Sequence, residues 1–211
     1  MNKDIIGHFE RTWREYDGWY ETHSALYQSE LAALKRVVPS GEGLEIGVGT
    51  GRFAAPLGVR VGLDPAINML RLAKKRGIMA VQGMGESLPF RDRTFDFVQI
   101  VFVIEFIPRP DIFLMEAVRT IRPNGSLILS FIDRESLWGQ FYAQDPSHQG
   151  HFHPFRTEEV LEIFARIGLE FREAYQTLLQ PPPDIGREEE PMAGFGRGGV
   201  VILKVEKREG T

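Results

Sequence analysis

The run Gly43-Leu44-Glu45-Ile46-Gly47-Val48-Gly49-Thr50-Gly51-Arg52 constrains this chain more than any other segment. A short apolar strand carries an acid and runs into glycines at every second position. Glycine takes left-handed backbone without a Cβ clash and lets bare main chain approach a ligand closely. The acid ahead of the turn can meet a cationic group. Gly49-Thr50-Gly51-Arg52-Phe53-Ala54 also fits the G-x-G-x-x-A form of a dinucleotide turn. That motif demands neither Gly47 nor Glu45, however, and it expects its acid about twenty residues on, whereas Asp64 comes sooner. A plain turn between strand and helix is the remaining alternative.

The flanking pattern alternates. Residues 58–63, 78–82, 95–102 and 126–132 read as strands, and 65–76 and 111–121 as helices. Strands apolar on both faces belong inside a sheet covered by helices, and the alternation signals a parallel, doubly wound sheet. Ahead of it, Phe9, Trp13, Tyr16, Trp19 and Tyr20 recur at helical spacing, and a second helix follows over 24–38. Beyond Asp133, residues 137–155 are rich in aromatics and histidines without a clear period. Thr157 can cap a helix reaching about 167, residues 169–178 and 199–205 read as strands, and the Pro-, Gly- and Glu-rich stretch 180–198 reads as a surface loop. We expect one domain over 1–211: a helical cap (1–40), a ligand-binding core (41–133), a substrate-side segment (134–156) and a C-terminal helix with strands (157–211).

Asp64 ends the second strand, where a carboxylate can accept two hydrogen bonds from a ribose diol; an exposed helix cap before Pro65 is the plainer reading. Taken together, residues 43–132 resemble the class I S-adenosylmethionine-dependent methyltransferases. The resemblance rests on the E-x-G-x-G-x-G turn at 45–51, on Asp64 with Asn68-Met69-Leu70, and on Gly83-Met84-Gly85-Glu86-Ser87-Leu88-Pro89-Phe90. It continues in Phe95-Asp96-Phe97-Val98 and in Arg122-Pro123-Asn124-Gly125. It implies a Rossmann-like α/β fold with a seven-stranded, mostly parallel sheet, the last strand antiparallel, helices on both faces and S-adenosylmethionine as cofactor. It further implies that Gly47, Gly49 and Gly51 line the methionine moiety with Glu45 near its amino group. Asp64 would hold the ribose hydroxyls, Met69 would pack beside the adenine, Gly85 and Glu86 would offer backbone to its edge, and Ile100 and Val101 would lie close by. Met84 stands where the family often has an Asp that accepts from the adenine amino group; a thioether can only cover the ring. That departure keeps a non-catalytic binding module open beside the enzyme reading. Tyr16-Asp17-Gly18-Trp19-Tyr20-Glu21-Thr22, Phe131 to Ser136 and Gln176-Thr177-Leu178 are similar to a narrower group of small prokaryotic methyltransferases.

The remaining readings concern the methyl acceptor. A net charge of -4 and dispersed Lys/Arg oppose a nucleic-acid or anionic-membrane partner. The chain has no cysteine, which removes disulfides, thiolate metal sites and a thiol nucleophile. No apolar run reaches membrane-span or signal-peptide length, so a cytoplasmic location is expected. His148, His151 and His153 could supply three metal nitrogens, but no acidic partner or fixed helical spacing supports a metal, and at most one of them is expected to act as a base. Tyr16, Trp19, Tyr20, Glu105, Phe106, Trp138, Phe141, Tyr142 and Phe152 are the expected pocket walls, suited to a small aromatic or amphipathic acceptor carrying N, O or S. Nothing in the sequence sets an oligomeric state.

Overall fold

The computed structural model describes residues 3–144, 151–183 and 185–207. Two N-terminal helices, α1 (Lys3–Thr22) and α2 (Ser24–Val37), precede the sheet. Then β1 (Gly43–Ile46), β2 (Val61–Asp64), α3 (Ile67–Lys75), β3 (Met79–Gln82), β4 (Phe95–Val101), α4 (Pro110–Thr120) and β5 (Ile121–Ile132) follow, with a short 3-10 turn at Ile104–Phe106 between β4 and α4. The chain closes with α5 (Leu137–Ala143), α6 (Thr157–Arg166), β6 (Leu169–Thr177), β7 (Met192–Ala193) and β8 (Val200–Lys207).

The sheet order is β3-β2-β1-β4-β5-β8-β6-β7. Strands β1 to β5 are mutually parallel, while β8 runs antiparallel between β5 and β6. The seven expected strands are all present, and the last long one is antiparallel as expected. The eighth is a correction to the count. Within the expected 180–198 loop, Met192 and Ala193 pair with Gln176 and Tyr175. That loop is held to β6 because the Gln176 Oε1 accepts the N–H groups of Arg197 and Gly198 at 2.8 and 2.7 Å.

Both sheet faces are covered, which is why β1 and most of β4 are buried along their length. On one face Phe113, Leu114 and Ala117 of α4 and Val160, Ile163 and Phe164 of α6 pack onto the strands. On the other, Leu26, Leu31 and Leu34 of α2, Leu70 and Ala73 of α3 and Trp138 of α5 form a second core. The Arg122-Pro123-Asn124-Gly125 run is a bulge: the register jumps between Phe95 and Phe97, and Asn124 takes φ 63°. Thr157 opens α6 rather than capping it. Its N–H and hydroxyl both donate to Asp133 Oδ2, at 3.0 and 2.6 Å, so the carboxylate at the end of β5 supplies the cap. After the glycine run, residues 52–58 form successive turns and no regular helix. The dinucleotide motif opens a helix whose N-terminus faces the pyrophosphate, and that helix is not found here. No helix among the described residues is long and apolar enough to cross a membrane.

Candidate active site

The strand order reverses between β1 and β4, so their carboxyl ends open the crevice where such sheets bind ligands. The glycine run lies there. Gly47, Gly49 and Gly51 all have positive φ, at 77°, 51° and 81°. A Cβ on Gly47 would stand 2.3 Å from Val103 Cγ2, so the turn is closed to side chains by packing as well as by backbone. The turn is tied to β2, since the N–H groups of Gly47 and Val48 both donate to Leu63 O.

Two buried carboxylates flank the turn. Glu45 sits opposite Gln99 in the β1–β4 register, and the Gln99 amide donates to its Oε2. Burial pushes the Glu45 carboxyl up to about 8, against the lowering effect of the Gln99 bond. Asp64 accepts from Gly49 N at 2.9 Å and from Ala66 N at 2.8 Å, and burial raises it to about 6. The aspartate therefore braces the glycine turn and the entry to α3 before any ligand arrives.

Beside the turn a narrow cleft is lined by Ile46, Gly47, Pro65, Met84, Gly85 and Glu86, backed by Val103, Ile107 and Phe113. Gly85 is required there, because a Cβ would meet Phe113 Cε2 at 2.2 Å. Met69 is a buried residue of α3, while Ile100 and Val101 belong to opposite faces of β4 and to opposite cores.

Helix α1 covers this crevice. Asp17 accepts from Arg52 Nε at 3.0 Å and Arg76 Nη2 at 2.9 Å, joining α1 to the glycine run and to the end of α3. The paired guanidinium groups outweigh burial and hold the Asp17 carboxyl down to about 2. Glu10 accepts from the N–H of Asn68 at 3.1 Å and from that of Ile67, so α1 also caps α3. Tyr16 faces Gly49, and its hydroxyl accepts from Tyr20 Oη at 2.8 Å. Trp19 stacks on His23 instead. Burial raises both Tyr16 and Tyr20 well above the ordinary phenol range.

Beyond the turn, Phe9 of α1 meets Phe106 edge-on at 5.8 Å, and Phe106 meets Phe152 at 5.8 Å. Phe102, at φ 54°, turns the chain sharply off β4 into the 3-10 turn that carries Glu105 and Phe106. Glu105 is 1% exposed; its Oε1 accepts from Ile132 N at 2.9 Å and its Oε2 has no partner among the described residues. Burial lifts its carboxyl to about 7. Tyr142 stacks obliquely on Trp138, and Phe141 is exposed. Trp138 is 1% exposed with its Nε1 donating to Gln180 O at 2.7 Å, so it is floor rather than open wall.

His153 donates its backbone N–H to Glu105 O at 2.8 Å, but its side chain is exposed on a separate groove with Arg134, Glu159, Glu162 and Arg166. His151 is half-buried, and His148 lies outside the described residues. Among the described residues no group of His, Asp and Glu is placed to hold a metal.

Sequence reasoning missed Glu10, Asp17, Gln99 and Glu30. Gln99 carried a signal, as the one amide in an apolar strand. Glu30 carried little: it reads as a surface acid of α2 yet is 6% exposed, and burial raises it to about 8.

Comparison with known proteins places this architecture in a class. A family model described as a methyltransferase domain matches residues 44–129. An uncharacterized protein of Methanocaldococcus jannaschii is 37% identical over 203 residues, covering 94% of this chain and 98% of the relative. A second uncharacterized protein, from Mycobacterium tuberculosis, is 34% identical over 177 residues, and this chain spans 61% of its length. The crystal structure of an S-adenosylmethionine-dependent methyltransferase of Thermotoga maritima, described as a possible histamine N-methyltransferase, is similar with a TM-score of 0.90 at 38% identity. That match covers 95% of this chain and 98% of the other. The chain belongs to the S-adenosylmethionine-dependent methyltransferases, and S-adenosylmethionine is its cofactor.

Proposed function

We propose that this enzyme methylates a nitrogen, oxygen or sulfur atom of a small molecule, and that the glycine turn between Glu45 and Asp64 is its cofactor cradle. The observation that carries the cradle is the coincidence of three left-handed glycines with two buried carboxylates at the sheet's switch point. That arrangement fits S-adenosylmethionine, which has a cationic amino group, a ribose diol and a flat base. Gly47, Gly49 and Gly51 present bare main chain to its methionine portion, and Glu45 takes the amino group. Asp64 keeps lone pairs for the ribose hydroxyls beyond its two backbone bonds. Met69, Met84, Gly85 and Glu86 flank the adenine, with Met84 covering the ring through its thioether. Ile100 and Val101 support the site from the end of β4.

Once bound, S-adenosylmethionine supplies a methyl carbon on a positively charged sulfur. The protein's work is then to align the acceptor and to exclude water. Helix α1, pinned by Asp17 and Glu10, closes the crevice and brings Tyr16 over the turn; aromatic faces attract a sulfonium. Tyr16, Tyr20, Phe106, Tyr142 and Phe152 form the acceptor's apolar surroundings, with Glu105 as their buried acid and Trp138 and Phe141 behind and outside them, while Trp19 turns to His23. A histidine base at His148, His151 or His153 has less support: the exposed side chain of His153 faces the other groove.

Three observations favour a small acceptor over nucleic acid or a membrane. The chain carries a net charge of -4. Arg52, Arg76, Arg119 and Arg122 are engaged in ion pairs. The site is also roofed by a helix of the chain itself. The Thermotoga relative, by its description, favours nitrogen among the acceptor atoms. Isothermal titration tests the cradle. S-adenosylhomocysteine binds and NAD(P)H does not; the reverse result rejects it.

A further inference from the structure

Glu105 is a carboxylate with one unmet oxygen. Its Oε1 is used by the Ile132 N–H, yet its Oε2, buried from solvent, accepts from nothing among the described residues. Leaving a buried polar oxygen unpaired costs about as much as a typical hydrogen bond returns or more, so such an atom calls for a partner. The position narrows what the partner is. Glu105 lies two residues past Val103, whose side chain fills the space above Gly47, and it follows the left-handed Phe102 at the carboxyl end of β4. Its neighbour Phe106 meets Phe9 of the roofing helix and Phe152 of the segment after α5. The residue carrying the unmet oxygen therefore stands in the chain between Val103, packed on the glycine turn, and Phe106, packed on Phe9 and Phe152.

Resting on the methyltransferase reading above, we infer that Glu105 is the acceptor-binding and proton-accepting carboxylate of this enzyme, and that its partner is a protonated amine. A cationic acceptor cannot react as it enters: an ammonium has no lone pair, and it would face a sulfonium of the same sign in a dry site. A buried carboxylate removes both obstacles. The ammonium binds Oε2 and passes one proton to it, leaving a neutral amine and a neutral acid. The amine lone pair then forms the N–C bond to the methyl carbon as the C–S bond breaks, and that electron pair stays on sulfur. The product leaves as a methylated ammonium, and the carboxyl proton returns to water. Burial that lifts Glu105 to about 7 suits this exchange, because proton transfer is most effective when the group's pKa lies near the working pH. A neutral alcohol gains nothing comparable from the site.

The test is calorimetry on enzyme saturated with S-adenosylhomocysteine, using histamine, tyramine and phenethylamine as probes and 2-phenylethanol as the neutral match. Wild type binds at least one amine and not the alcohol. Glu105→Gln keeps the acceptor for Ile132 N and the side-chain volume, so its affinity for S-adenosylhomocysteine stays at the wild-type value while amine affinity falls about tenfold or more. With any amine that is turned over, E105Q lowers kcat by about a hundredfold or more. Failure of every amine to bind the saturated wild type, or unchanged amine affinity in E105Q, overturns the assignment. Failure of the wild type to take S-adenosylhomocysteine at all overturns the methyltransferase reading beneath it, so the two failures are told apart.

Discussion

Gly47 and Gly58 share a left-handed backbone, with φ 77° and 75°, but not a fate under substitution. At Gly58 a Cβ meets open space, so Ala adds only the left-handed strain of about 1–2 kcal/mol. At Gly47 it also collides with Val103, which adds about 1–3 kcal/mol of overpacking. Gly47→Ala should lower the thermal midpoint roughly twice as far as Gly58→Ala, and it alone should weaken S-adenosylhomocysteine binding; equal effects on both would show that Val103 yields. Asp64→Ala should weaken the same ligand by about 10- to 100-fold, the loss of one or two charge-assisted bonds, with a calorimetric titration as the check. Unchanged affinity would remove Asp64 from the ribose. At this scale the left-handed glycine turn and the two acids flanking it were legible as a unit, because an acid and bare main chain at such close spacing mark a sharp turn after a buried strand. Glu10, Asp17 and Glu30 were not: an acid on an amphipathic helix looks the same whether it meets water or a partner sixty residues away.

Helix α1 lies over the glycine turn. Its anchors are polar: Asp17 on Arg52 and Arg76, and Glu10 on the start of α3. Asp17→Ala leaves two partly buried guanidinium groups without that carboxylate. We expect faster hydrogen exchange over residues 3–22, and cofactor affinity lowered by about tenfold, with protection of β1 and β4 unchanged. Exchange that rises equally in the sheet would mean that α1 belongs to the folding core rather than to a cover. Elements with a period were read within a few residues of their bounds. Helix α5 was not, since Trp138, Phe141 and Tyr142 give an aromatic cluster rather than a stripe. Strand β7 was missed for a different reason: two residues carry no pattern, and only their pairing with Tyr175 and Gln176 of β6 places them.

Across the whole molecule the buried carboxylates set the pH response. Glu30 and Glu45 are lifted to about 8, Glu105 to about 7 and Asp64 to about 6, each mainly by burial. In the unfolded chain these groups lose their protons near pH 4. Between about pH 4 and 8 the folded state thus holds more protons, and stability falls as pH rises through that window. Asp17 acts oppositely, but its contribution is complete above about pH 4 and stays flat beyond. The ligand-free protein should therefore melt at least ~5 °C lower at pH 8 than at pH 5. A flat or rising midpoint would mean that these carboxylates are paired. S-adenosylmethionine should flatten the slope, since its cationic groups favour the charged form of Glu45.

The mostly parallel sheet and the cofactor class were readable because they follow from alternation and from one turn; the acceptor was not, because the residues proposed to surround it come from α1, the Glu105–Phe106 turn and the segment around Phe152, far apart in sequence. Methyl transfer itself tests the central claim most directly. The enzyme is given S-adenosylmethionine with a small-metabolite fraction, and separately with total RNA or with protein, and S-adenosylhomocysteine formation is measured. We predict turnover with the small-molecule fraction that falls in Asp64→Ala when S-adenosylmethionine is subsaturating. Turnover with RNA or protein and none with any small molecule would contradict the account.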